Sequence, residues 1–212
     1  MHTRLDQRGA LVIASALLFC GAANAFTVNI SAATPRAIYL QVGVGSFTGL
    51  YNSGGTPGSN PTVNVVSVTV PAAQVGNNVA QPMTTNSTAS NSFYDNYVFC
   101  NAPAQLYIGG FYRRTNGGTA PAATLTATAP ANLVNGAGDT IPFSEIQWTS
   151  SGNGDSGAQP FLGGSFAGGT QTIGSIQRNQ WAESCHSFSY RNSAVVPAGT
   201  YTGRVTYTLT AP

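Results

Sequence analysis

The sequence predicts an all-β protein of short antiparallel strands, and three observations lead to that class. Gly, Pro, Thr, Asn and Ser recur at the spacing of about 8–12 residues that is typical of such folds. The apolar runs between them are short and alternate with polar residues. In the last stretch, "GTYTGRVTYTLT", Tyr207 and Leu209 fall on one face and threonines on the other. A two-layer sandwich is the favoured architecture, and a barrel is the second.

The strands follow one another along the chain, separated by glycine-rich or proline-containing connections. Each candidate strand shows alternation or β-branched and aromatic enrichment between turn residues. The candidate strands are residues 26–32, 37–44, 62–70, 97–102, 105–113, 123–129, 143–150, 171–176, 184–191 and 199–212. No repeat and no linker divides the chain, so residues after the leader are expected to form one domain.

Residues 1–25 have the pattern of a secretory signal peptide. Arg4 and Arg8 precede the short apolar run "ALVIASALLFC", and "ANA" provides a small-residue cleavage site. Cys20 raises the alternative of lipid attachment, but the bulky Phe19 before it argues against that. We therefore expect export, with cleavage after Ala25.

The charge content is low, and it argues against several classes of partner. Charged residues make up 7% of the chain and none is Lys. Nucleic-acid binders carry dense basic patches, and membrane-surface helices carry basic faces. Neither feature is present in this sequence, so we expect no nucleic-acid partner.

Two cysteines, Cys100 and Cys185, remain after the leader. An even pair in an exported protein is read as a disulfide. The chain-entropy estimate for closing so long a loop is about 4–5 kcal/mol. The alternative, a reactive or metal-binding thiol, has no support from neighbouring residues.

Candidate catalytic and cofactor groups are sparse, and we expect neither an enzyme nor a cofactor. His186 is the single histidine after the leader, and it alternates with Cys185 on one predicted strand, so the two side chains point to opposite faces. No clustered His, Cys or carboxylate set suggests a metal site. The large side chains expected in the core are Trp148, Trp181, Phe188 and Tyr190.

The segment "FTVNISA" at residues 26–32 carries a full apolar face at the very start of the mature chain. Phe26, Val28, Ile30 and Ala32 alternate with polar residues, and Pro35 then interrupts the pattern. Chain starts usually fray unless they are held in place. Such a segment suits addition to the open sheet edge of another subunit.

The chain resembles exported pilins of the chaperone–usher type, and is most similar to the archaic branch that includes spore-coat-U-like domains. "TVNIS" near residue 26, the "FC" strand at Cys100 and "VVPAGTYTGRVTYTLT" near the end carry the resemblance. It implies an incomplete immunoglobulin-like β-sandwich that lacks its last strand and is completed by a donor strand. Residues 26–34 would be the donor-strand extension, and residues 35–212 the sandwich domain.

The resemblance also implies site residues and partners. The implied donor side chains are Phe26, Val28, Ile30 and Ala32, and the implied acceptor groove is lined by Tyr201, Val205, Tyr207 and Leu209. The carboxylate of Pro212 would anchor a periplasmic chaperone. An outer-membrane usher would then join neighbouring subunits into a cell-surface fimbria that serves adhesion or biofilm formation. The family's cysteine shortly after the donor segment is missing, so the disulfide of this chain must lie elsewhere than in the family. Residues 120–169 are long and loop-rich for a minimal pilin, which suggests a minor or specialised subunit.

Two other functions are compatible with the sequence. In a monomeric secreted carbohydrate-binding module, Trp148, Trp181 and the glycine-rich loops would form the sugar site. For a small secreted hydrolase, His186 would be the residue whose substitution abolishes the activity.

Overall fold

The computed structural model describes residues 27–115, 119–153 and 157–212, and the signal-peptide prediction for residues 1–25 lies outside them. Sixteen short strands and three 3₁₀ turns make up the regular structure of these residues, which confirms the all-β prediction. The first eight strands are β1 (Thr27–Asn29), β2 (Ala37–Val42), β3 (Phe47–Thr48), β4 (Thr56–Pro57), β5 (Val66–Ser67), β6 (Gln81–Pro82), β7 (Thr84–Thr85) and β8 (Leu106–Arg113). The other eight are β9 (Ala123–Ala129), β10 (Asn132–Val134), β11 (Thr140–Pro142), β12 (Ile146–Ser151), β13 (Gly164–Ser165), β14 (Gly169–Ile176), β15 (Gln180–Tyr190) and β16 (Thr206–Thr210). The 3₁₀ turns are Tyr51–Ser53, Ala72–Gln74 and Phe143–Glu145.

Two antiparallel sheets dominate the fold. The larger has the order β13-β12-β15-β8-β2, and β1 and β6 also pair with β15. The smaller has the order β14-β9-β16. Three further pairs, β10-β11, β3-β4 and β5-β7, form two-stranded ribbons.

The main core lies between the two sheets, as in a β-sandwich. The smaller sheet contributes the inward residues of β9, whose burial alternates strictly between alanine or leucine inside and threonine outside. The larger sheet contributes Ile108, Trp148 and Phe188, among others. Trp148, Phe188 and Tyr190 lie in this core and Trp181 lies buried in a second cluster, so the predicted burial of all four is confirmed.

A second layer of apolar side chains covers the outer face of the larger sheet. β15 is the central strand of that sheet, and its alternate side chains face opposite ways. Trp181 packs outward with Phe111, and Cys185 packs outward with Tyr107. Aromatic side chains from residues 47–51 and 93–94 cover them. β15 and β8 are therefore buried on both faces.

Several predicted strand limits were wrong. Residues 97–102 form no strand, and only Val98 makes an isolated bridge there. The predicted strand 143–150 begins instead with a 3₁₀ turn, and the strand runs over Ile146–Ser151. The predicted strand 184–191 starts earlier, at Gln180, and the terminal strand is limited to Thr206–Thr210.

Candidate functional site

β16 forms one edge of the smaller sheet. It pairs with β9 from Thr206↔Thr128 to Thr210↔Thr124, and no other strand of the described residues pairs with it. Its threonines are exposed, whereas Tyr207 and Leu209 are half-buried against the main core. An edge with unpaired backbone groups is a template on which a further strand can be added.

The four residues expected in the acceptor groove differ in their positions. Tyr207 and Leu209 lie in β16, and Val205 lies directly before it. Tyr201 lies four residues further upstream, where its hydroxyl donates to the carbonyl of Pro197 at 2.9 Å. All four side chains are half-buried and pack against the main core. Pro212 is exposed.

The segment 62–70 shows strand-like burial without a matching ladder. Its side chains alternate between half-buried and exposed from residue 64 to residue 70, and Val66, Val68 and Val70 pack against the main core. Only Val66 and Ser67 are paired, with β7. The predicted strand 62–70 is therefore much shorter than expected, although its side-chain pattern is that of a strand. We call Val66, Val68 and Val70 the valine row.

A cleft of about 240 Å³ lies where the segment before the valine row approaches β16. Tyr39 and Gln41 of β2, Asn60, Thr62 and Tyr207 line it, and none of its lining residues is charged. Burial raises the pKa of Tyr39 to about 12, and burial also raises the pKa of Tyr207. Both phenols are therefore neutral at physiological pH, and the cleft suits an uncharged occupant.

The start of the described chain is held on the larger sheet. β1 pairs with β15 in the register Thr27↔Ala182, Val28↔Trp181 and Asn29↔Gln180. Because β8 pairs with the same residues of β15, β1 occupies the opposite edge. The Ile30 N–H donates to the carbonyl of Asn179 at 2.9 Å.

The implied donor side chains are thus partly in contact with their own chain. Ile30 is 8% exposed and belongs to the outer cluster with Phe111 and Trp181, and Val28 packs against the same cluster. Ala32 is half-buried, and Phe26 lies outside the described residues.

A buried carboxyl group lies on the outer face of β15, and it was not among the predicted site residues. The Glu183 side chain is fully buried, and its Oε2 accepts hydrogen bonds from the Tyr107 hydroxyl and, at 3.1 Å, from the Trp181 indole. Burial raises the pKa of Glu183 to about 7, and Asp95 adds a smaller repulsion in the same direction.

Cys185 and His186 lie on opposite faces of β15, as predicted. Cys185 forms the disulfide with Cys100 on the outer face. The His186 ring is fully buried and stacks on Trp148 on the inner face. Burial lowers the pKa of His186 to about 4. The backbone of Phe161 favours the charged ring, but neither ring nitrogen makes a hydrogen bond within the described residues.

The tryptophans do not form a ligand platform. Trp148 is 4% exposed and Trp181 is fully buried, and each ring packs against other aromatic side chains. A sugar-binding surface needs a ring face that is open to solvent. Neither tryptophan offers such a face, so the alternative carbohydrate site would have to be formed by other residues.

The described residues contain neither a metal-binding cluster nor a membrane-spanning helix. No group of three or more His, Cys, Asp or Glu lies close enough to hold a metal ion. Within the same residues, no helix has the length and apolar character needed to cross a membrane.

The described residues define an antiparallel all-β protein with two facing sheets, a buried disulfide and a strand edge at β16. No protein-family model matches this chain, and no curated protein matches it. A functional assignment therefore depends on the geometry of the edge and on the sequence pattern.

Proposed function

We propose that this protein is an exported structural subunit of a cell-surface fibre, in which β16 of one copy accepts an apolar strand from the next. The acceptor groove would lie between β16 and the valine row. The donor would be residues 26–32 of the neighbouring copy, and a periplasmic chaperone and an outer-membrane usher would be the assembly partners. The fibre would serve adhesion or biofilm formation.

The alternating burial of residues 64–70, of which only Val66 and Ser67 pair with another strand, is the observation that carries the proposal. The valine row and the half-buried Tyr207 and Leu209 rest on one core cluster. Thr62 and Tyr207 line one cleft. Both segments have backbone groups without strand partners in the described residues. A single inserted strand would supply hydrogen bonds to both segments and cover the core between them.

The chemistry of the donor segment matches this groove. Residues 26–32 contain no charged side chain, and neither does β16, so after cleavage the only charge of the donor segment is the α-amino group of Phe26. Association would therefore depend on apolar burial and backbone hydrogen bonds, and only weakly on salt. Each large apolar donor side chain would contribute about 1.5–3 kcal/mol on full burial.

Completion of the groove within one chain tests the proposal. A copy of residues 26–32 is appended after Pro212 through a short glycine-rich linker, and the native segment is left in place. The control carries the same seven residues reordered so that the apolar ones are contiguous and no strand face is apolar. We expect the alternating copy to raise the free energy of unfolding by at least about 3 kcal/mol over the control, because only that copy buries a complete apolar face.

Fibre formation gives the second readout of the same variants. Co-expressed with a chaperone and usher, the unmodified protein is expected to form fibres visible by electron microscopy, and the alternating-copy variant to form none. Equal stability of the two appended variants would contradict the position of the groove. An unmodified protein that stays monomeric under these conditions would contradict the fibre function.

A further inference from the structure

We infer that residues 27–30 form a self-docking latch: the β15 edge holds them in an isolated subunit, and they must leave it before β16 of a neighbouring copy can take them. This inference rests on the proposed function. The latch would keep the apolar segment covered until an acceptor edge is available.

The contacts at the β15 edge are those of a specific docking site. Three residue pairs link β1 to Gln180–Ala182. The Gln180 side-chain amide also donates to Asn29 Oδ1 at 3.2 Å. Beneath this ladder, Val28 and Ile30 pack against the outer cluster that contains Phe111 and Trp181.

The two docking sites need the same face of the same strand. Val28 and Ile30 are two residues apart, so both lie on one side of the extended segment. That side contacts the outer cluster in the isolated chain, and it would contact the main core of a neighbour in the fibre. A segment that is bound at one site is unavailable to the other, and so release from β15 is an obligatory step of assembly.

The donor segment can form a longer ladder with β16 of a neighbouring copy than with β15 of its own chain, and this difference favours its transfer to the neighbour. β1 makes three residue pairs with β15, whereas β16 offers a five-residue edge along its whole length. The donor would also pair with the segment of the valine row. The groove of a neighbour would therefore outcompete the β15 edge once it is open.

Hydrogen exchange on the isolated, folded protein tests whether the segment is docked. Ile30→Asp places a charge among the outer aromatic side chains, whereas Ser31→Asp places the same charge at an exposed neighbour. We expect amide exchange in residues 27–30 and 180–182 to be at least tenfold faster in Ile30→Asp than in the unmodified protein. Ser31→Asp is expected to leave it unchanged. Equal exchange in all three proteins would overturn the docking.

Assembly kinetics test whether docking restrains donation. Phe111 and Phe166 are each 2% exposed, but Phe111 packs with Ile30 in the outer cluster and Phe166 lies in the main core. Neither residue belongs to the proposed donor or groove. We expect Phe111→Leu subunits released from chaperone to form fibres at least threefold faster than Phe166→Leu subunits, because only the first change loosens the latch.

The outcomes separate the two proposals. Equal fibre rates for Phe111→Leu and Phe166→Leu would overturn the latch and leave the fibre function standing. No fibres from any variant, including the unmodified protein, would overturn the fibre function. In that case residues 27–30 are an ordinary part of the sheet, and protection from exchange is their structural role alone.

Discussion

Two buried ionisable side chains on β15 are expected to make contributions of opposite sign to the pH dependence of the free energy of unfolding. Glu183 lies on the outer face and His186 on the inner face, and both are fully buried. We predict that the unmodified protein shows little change in stability between about pH 4.5 and 6.5. When either residue is replaced, the stability is expected to change strongly with pH. Whether it rises or falls with pH depends on which residue is replaced.

The magnitude for Glu183 follows from its pKa of about 7, which burial raises from the ordinary 4.5. The folded protein keeps the proton up to about pH 7, whereas the unfolded chain loses it near pH 4.5. Stability is therefore lost as the pH rises through this range, by about 3 kcal/mol in total.

The magnitude for His186 is similar and its sign is opposite. Burial lowers its pKa from 6.5 to about 4, so the unfolded chain takes up a proton near pH 6.5 and the folded protein only near pH 4. Stability is therefore lost as the pH falls through this range, again by about 3 kcal/mol. The two slopes cancel where the ranges overlap.

Urea unfolding followed by circular dichroism from pH 4 to pH 8 checks this prediction. In Glu183→Gln, stability is expected to rise with pH by about 3 kcal/mol, because only the histidine remains. In His186→Phe, stability is expected to fall with pH by a similar amount. Glu145→Gln, a change near the surface where the carboxylate accepts from Ser193, is the control. Slopes of the same sign in Glu183→Gln and His186→Phe would refute the reasoning.

Two further changes test the packing. Cys100→Ala/Cys185→Ala removes a disulfide that spans a sequence separation of 85. Urea titrations are expected to show a free energy of unfolding that is lower by about 4–5 kcal/mol. A loss below about 1 kcal/mol would contradict the chain-entropy account. In Gly110→Ala, the new Cβ would overlap the Tyr39 carbonyl oxygen, so the melting temperature should drop by an amount equivalent to about 1–3 kcal/mol. Gly136→Ala, whose Cβ would meet nothing within 4 Å, should cost much less, and equal losses would be inconsistent with the β2-β8 spacing.

The fold class could be predicted because its signal is local. β9 alternates alanine or leucine with threonine, and the structure reproduces the predicted limits, Ala123–Ala129. β8 was also predicted to within one residue, Leu106–Arg113. In each case turn residues flank the strand. The alternating pattern of β9 matches a strand with one buried face, and the apolar pattern of β8 matches a strand with two.

The outer aromatic layer could not be predicted from local pattern. Its members, among them Phe47, Tyr51 and Trp181, come from distant parts of the chain and meet only through the tertiary fold. The near-continuous apolar run of β8 was a signal that both faces of that strand are covered. The sequence does not say which loops supply the cover.

The candidate site was predictable in part. Tyr207 and Leu209 follow directly from alternation, and they lie in β16 as expected. Segment 62–70 has the side-chain pattern of a strand, but a hydrogen-bonded ladder also needs a partner strand. An alternating pattern carries no information about whether a partner strand lies beside it. The docking of Thr27–Asn29 on β15 depends on pairing across about 150 residues, which no local signal reveals.

The outward face of the smaller sheet has a consequence for its surroundings. Threonines of β9, β14 and β16 cover it. The hydroxyl groups of Thr128 and Thr170 form a hydrogen bond of 2.8 Å between β9 and β14. Hydroxyl groups carry no net charge, so dissolved ions have nothing to screen on this face. The face itself would therefore add no long-range attraction or repulsion between molecules that meet there. Association at this face would depend on the hydration of its hydroxyl groups, and it would change little with the salt concentration.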